Sequence, residues 1–239
     1  MIRTLFVRGL LAGIIAGLAA GAFAFLFGEP HIDSAIALEE AAAHTHTEAP
    51  LVSRGGQVGG LFLATALYGA ALGGLFGLAF ALVRGRTGPR SGTALSVALA
   101  AAGFVGVVLV PFVKYPANPP AVGDPATIGS RTSLYLVLVL IGLLAVAAAA
   151  VAYRLFEVNG GPVRWLAAGL GFLVPVGAAW GLLPTVSEVP EGFPADLLWN
   201  FRVSSLGTQV VLWGVLGVSY AFLWYRAERV AGVPQAVPV

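Results

Sequence analysis

The chain has 239 residues, 58% of them hydrophobic and 10% charged, with 32 glycines, no cysteine and a mean hydropathy of +0.90. Soluble domains carry about 25% charged residues, so most of this surface must face lipid, and disulfide scaffolds, thiolate metal sites and cysteine nucleophiles are excluded. A net charge of +2 is too small to attract nucleic acid by field strength.

A helix needs about 20 apolar residues to cross a bilayer, and six runs qualify: 9–27, 61–83, 94–113, 134–153, 165–183 and 206–225. They predict an all-α integral membrane protein, one membrane domain over 1–239 built as a bundle of six transmembrane helices. The first run follows Arg3 and Arg8, but it is long and no small-residue cleavage pattern closes it, so it reads as a retained anchor. Its Gly9, Gly13, Gly17 and Gly21, like Gly69, Gly73 and Gly77 of the second run, recur every fourth residue. Such stripes let helix backbones approach closely, and these two helices are expected to be packed inside the bundle; a pore lined by glycine backbone is the alternative.

Arginine placement sets the expected orientation. One set of connections and termini holds nine arginines against two glutamates, and the other holds four basic residues against nine acidic ones. Basic residues near span ends stay cytoplasmic, which puts both termini in the cytoplasm and the long, acidic connections outside, in a multi-pass protein of the inner (cytoplasmic) membrane.

The first outer segment, 28–60, collects Glu29, His31, Asp33, Glu39, Glu40, His44, His46 and Glu48. Imidazole with carboxylate suits a divalent transition metal. A short helix is expected from Asp33 to Ala43, with Glu40 and His44 four residues apart on one face and His44-Thr45-His46 as a second element. Glu40, His44 and His46 are therefore the preferred metal ligands, and His31, Asp33 and Glu39 are secondary candidates. A solvated acidic loop with incidental histidines is the alternative for the same residues.

The second outer connection, Lys114 to Pro125, holds four prolines with Pro111 just before them, and proline both lacks a donor and restricts its predecessor. It must be a fixed turn or cap. The third, Pro184 to Pro194, is similarly stiff, and two rigid loops would either shape a vestibule or seal the helix ends. Each outer connection returns to the membrane through an arginine close to a serine: Ser53-Arg54, Ser130-Arg131 and Arg202-Val203-Ser204. An arginine at a helix start opposes the helix dipole, so carboxylate partners are expected from Glu29, Asp124, Glu188, Glu191 and Asp196; snorkelling at the boundary is the alternative. Arg54 with Gln57, and Arg202 with Gln209, are spaced to share a helix face.

No span interior carries Asp, Glu, Lys, Arg or His, and no phosphate-binding loop, nucleophile elbow or zinc-protease signature is present. An enzyme is not expected, nor is ATP-driven transport by this chain alone.

Several stretches together resemble the CbtA-type membrane proteins: Phe27-Gly28-Glu29-Pro30 with Ile32-Asp33, the histidines before Val52-Ser53-Arg54-Gly55, the run Lys114 to Pro125, and Glu188-Val189-Pro190 continuing through Leu197-Leu198-Trp199 to Ser205-Leu206-Gly207-Thr208-Gln209. The resemblance implies uptake of cobalt in organisms that make or use cobalamin, and a small single-span, histidine-bearing partner called CbtB. It brings no established ligand residues with it. The expected function is thus a membrane subunit of a divalent-metal uptake transporter, most simply for cobalt, that captures the ion on its outer face. The alternative is a nonconducting metal-binding sensor or assembly subunit. Membrane lipid, the divalent metal and the CbtB-type protein are the expected partners, with no nucleic acid. Transported Co2+ is the expected ligand, and no cofactor is expected to be bound permanently.

Overall fold

The computed structural model describes residues 2–42, 52–230 and 232. Among them there is no strand, and six helical segments are long and apolar enough to cross a membrane. The helices are α1 (Ile2–Phe23), α2 (Glu29–Ala42), α3 (Arg54–Val83), α4 (Gly92–Gly103), α5 (Val110–Lys114), α6 (Ile128–Leu155), α7 (Gly161–Leu182) and α8 (Ala195–Val230).

One π-helical stretch, Ala24–Gly28, joins α1 to α2, and another, Phe104–Leu109, joins α4 to α5. Each ends two residues before a proline, Pro30 or Pro111. A proline ring inside a helix collides with the carbonyl four residues back, and a widened turn gives that carbonyl room. The helix therefore continues through Glu29–Ala42, where a short separate helix was expected. The helices also overrun the apolar runs. At 1.5 Å per residue, the 36 residues of α8 extend about 54 Å, well beyond the 30 Å of hydrocarbon. Polar helix ends such as Arg54, Arg131 and Arg202 lie on these overhangs.

The chain divides into two compact units, with the divisions falling inside α2, α4 and α8. In the first unit (residues 1–30, 40–101 and 204–239) the glycine stripes of α1 and α3 meet each other, antiparallel and backbone to backbone. Gly9 faces Gly73, Gly13 faces Gly69, and Gly17 faces Thr65, so that a Cβ at any of the three glycines would overlap the facing carbonyl. Beside this seam, Tyr220 of α8 is fully buried. Its ring lies 5.1 Å from Phe76 and 5.0 Å from Phe80, and its hydroxyl donates to the Leu5 carbonyl at 3.4 Å. Trp224 packs on Phe80 and carries the Arg84 guanidinium 4.0 Å above its ring, a favourable cation–aromatic arrangement.

The second unit comprises residues 31–39 and 102–203. Its apolar core joins Val110, Leu138, Ala145, Val176 and Ala179. Gly106 and Gly142 bring the π-helical stretch and α6 into backbone contact, and a Cβ at Gly142 would overlap the Gly106 carbonyl. Outward-facing leucines such as Leu140, Leu166 and Leu173 are more than half exposed, the surface expected of helices solvated by hydrocarbon.

Candidate functional site

Polar chemistry gathers at helix ends within each unit. In the first unit, Ser53 caps α3 by accepting the Gly56 N–H at 3.3 Å. Arg54 in the first turn forms an ion pair with Glu29 at 2.6 Å and donates to Gln57 Oε1 at 3.2 Å. The arginine that opposes the helix dipole thus has the carboxylate it calls for.

In the second unit Glu188 is the hub. Its Oε2 accepts the Asp124 backbone N–H and its Oε1 accepts the Thr127 hydroxyl, each at 2.8 Å, while Arg131 Nε stands 3.4 Å from Oε2. These groups hold the Glu188 carboxyl below its ordinary value, the Asp124 N–H contributing most, then the Thr127 hydroxyl, with Arg131 adding charge attraction against the opposing effect of burial. Arg131 also donates to the Asp124 carbonyl at 3.1 Å. Its guanidinium lies over Gly123, whose φ of +116° suits glycine. The result is a clamp between the connection 183–194 and the start of α6.

Further pins fix the proline-rich loop. The Tyr115 hydroxyl donates to the Pro184 carbonyl at 2.6 Å, and Lys114 Nζ donates to the Trp180 carbonyl at 2.7 Å. Arg202 donates from Nε to the Ala117 carbonyl at 3.3 Å and from its terminal nitrogen to Asn118 Oδ1 at 2.9 Å. Arg54 and Arg131 have the expected carboxylate partners. Arg202 is held by a neutral carbonyl and a side-chain amide instead: α8 begins at Ala195, so Arg202 lies about two turns inside the helix rather than at the start where it was expected.

The stiff loops border an open cavity of about 690 Å³, lined by α5, α6 and α8 and by 186–189. Among the described residues, Lys114, Arg131 and Arg202 line it together with one carboxylate, Glu188. This vestibule is positive, so a bare divalent cation would be repelled from it. The convergence of three basic side chains from three helices was not foreseen. The one lysine of the chain, at the last residue of α5, was the available signal.

The residues expected to bind metal are distributed differently. His31 and Asp33 lie in the first turns of α2, while Glu39 and Glu40 are exposed near its end. His31 and Glu39 are eight residues apart, about 12 Å of helix rise, too far to share one ion bound at about 2 Å. Among the described residues no group of three His, Asp or Glu could hold a metal ion. His44 and His46, the other two preferred ligands, lie outside the described residues, as does Glu48.

The family model for CbtA, described as a probable cobalt transporter subunit, matches residues 2–225, nearly the whole chain. The chain belongs to the CbtA family. Membership fits the six apolar spans and makes this a multi-pass membrane protein of a transporter-subunit family. No curated protein and no solved structure matches the chain.

Proposed function

We propose that this chain is the membrane-embedded subunit of a cobalt uptake transporter and that it captures the ion on its outer face. The observation that carries the reading is the match to CbtA over residues 2–225. Capture is assigned to the segment that follows α1. It brings five carboxylates and three imidazoles into twenty residues, a donor set suited to a divalent transition metal. Glu40, His44 and His46 are the preferred ligands, with His31, Asp33 and Glu39 relaying or concentrating the ion. In this account the long, acidic connections face outward, both termini are cytoplasmic, the membrane is the inner one, and a CbtB-type single-span protein completes the transporter.

One observation favours a second reading, a nonconducting sensor or assembly subunit. The interiors of the six apolar runs have no Asp, Glu, Lys, Arg or His, whereas coupled transporters place such groups at membrane depth. Both readings use the same ligands. The test of the ligands is calorimetric titration of cobalt into the purified full chain and into its His44→Ala/His46→Ala double variant. Imidazole binds metal only when neutral, and its ordinary pKa is about 6.5, so wild-type affinity is expected to fall as the pH drops through that value. Unchanged affinity in the double variant, or affinity retained down to about pH 5 where only carboxylates remain available, would remove the histidines from the site.

A further inference from the structure

The positive vestibule of the second unit has chemistry that cobalt capture does not use. Lys114, Arg131 and Arg202 converge on it, and among the described residues Glu188 supplies the only negative side chain in its lining. That carboxylate is already committed to the Asp124 N–H, the Thr127 hydroxyl and Arg131. Lys114 and Arg202 meet neutral acceptors, the Trp180 and Ala117 carbonyls and the Asn118 amide. Hydrogen bonds of that kind orient a cation without neutralising it. At the edge of a low-dielectric layer an uncompensated charge is costly, and an anion in the cavity would offset it.

Size and position indicate which anion. A cavity of about 690 Å³ is far larger than one phosphate or carboxylate needs. Its wall includes Val113, Ile128 and Leu136, which are 55%, 56% and 59% exposed. These residues sit at the end of α5 and in the first turns of α6, so the cavity continues onto the apolar sides of two spans. From Ile128 to Leu136 is about 12 Å of helix rise, enough to pass from the headgroup layer into hydrocarbon. Tyr135, in the same wall, is an aromatic of the kind enriched at that boundary. We propose that this vestibule binds the headgroup of an anionic phospholipid, its phosphate held by Lys114, Arg131 and Arg202 and its acyl chain lying along Val113 and Leu136.

The test uses the full chain purified in detergent without metal, so its outcome is independent of cobalt capture. Bound lipid is counted by native mass spectrometry after incubation with phosphatidylglycerol or phosphatidylcholine, with and without inorganic phosphate. The wild type is expected to retain phosphatidylglycerol preferentially. Lys114→Gln and Arg202→Gln are each expected to weaken the preference about fivefold, the contribution of one basic residue to an anionic surface. Arg86→Gln, outside the lining of the vestibule, is expected to leave it unchanged. Lys114 makes a single hydrogen bond from a helix end, so its variant remains informative if Arg202→Gln does not fold. Equal retention of the two lipids, or a preference untouched by Lys114→Gln, overturns the proposal. So does inorganic phosphate that binds in the vestibule and displaces no lipid, since that describes a site for a soluble anion.

Discussion

Replacing Gly13 by alanine tests the seam between α1 and α3. A Cβ at Gly13 would stand 2.8 Å from the Gly69 carbonyl carbon and 2.9 Å from Gly73 Cα, with the Gly69 oxygen closer still. Carbon atoms in good contact sit about 3.5–4.0 Å apart, so the shortfall approaches 1 Å. Every atom in the way is backbone, and no rotamer change can relieve the overlap. The helices must separate, and a gap of 0.5–1 Å forfeits about a quarter to a half of the dispersion attraction in the contacts that remain. Gly214 of α8 provides the reference, since a Cβ there meets nothing within 4 Å. Both substitutions gain the helix preference of alanine over glycine, about 1 kcal/mol, which cancels in the comparison. The difference left is the overpacking cost of about 1–3 kcal/mol, or about 2–12 °C in melting temperature for a chain of this size. Thermal melts of the purified variants, read by the folded fraction on size exclusion, measure it. Gly13→Ala melting with or above Gly214→Ala would refute a backbone-to-backbone seam.

The Glu188 clamp should respond to acid. Its folded-state carboxyl titrates below the ordinary 4.5, so its stabilisation is fully present above that value and is lost as the pH falls through the lower folded one. The melting-temperature advantage of wild type over Glu188→Gln should therefore be constant from about pH 7 to about pH 5 and shrink toward zero below about pH 4; a pH-independent gap would show that the ionised carboxylate is not what matters. Gly123→Ala should destabilise by about 1–3 kcal/mol through its left-handed φ, and it should also displace the Arg131 guanidinium that lies over it. Faster hydrogen exchange at 124–131 is the readout, and unaltered exchange would separate Gly123 from the clamp.

The glycine spacing in 9–21 and 69–77 pointed to tight packing rather than a glycine-lined pore, because small residues every fourth position let backbones approach, and the stripes do meet backbone to backbone. That each stripe is the other's partner was not legible, since spacing carries no information about pairing. Arg54 and Arg131 announced carboxylate partners through their positions at helix starts, and Glu29 and Glu188 answer them. Arg202 followed the same pattern in sequence and is met by Asn118 and a carbonyl, because α8 starts seven residues earlier, at Ala195, which the residue pattern did not show. Hydropathy ended the first span near Phe27, where side-chain chemistry changes, but the backbone stays helical through Pro30 by widening one turn. The positive vestibule was hidden for a related reason: its cations come from α5, α6 and α8, far apart in the chain. The metal-binding reading rests on residue types in 29–48, and its central residues, His44 and His46, lie outside the described residues.

Cobalt uptake into proteoliposomes that contain this chain, with and without a CbtB-type partner, tests the central claim most directly. Capture by the outer segment predicts saturable, inward accumulation of cobalt that requires this chain and that weakens at low metal concentration in His44→Ala/His46→Ala. Cobalt binding to the chain with no accumulation in either preparation would contradict a role in transport and identify a sensor or assembly subunit.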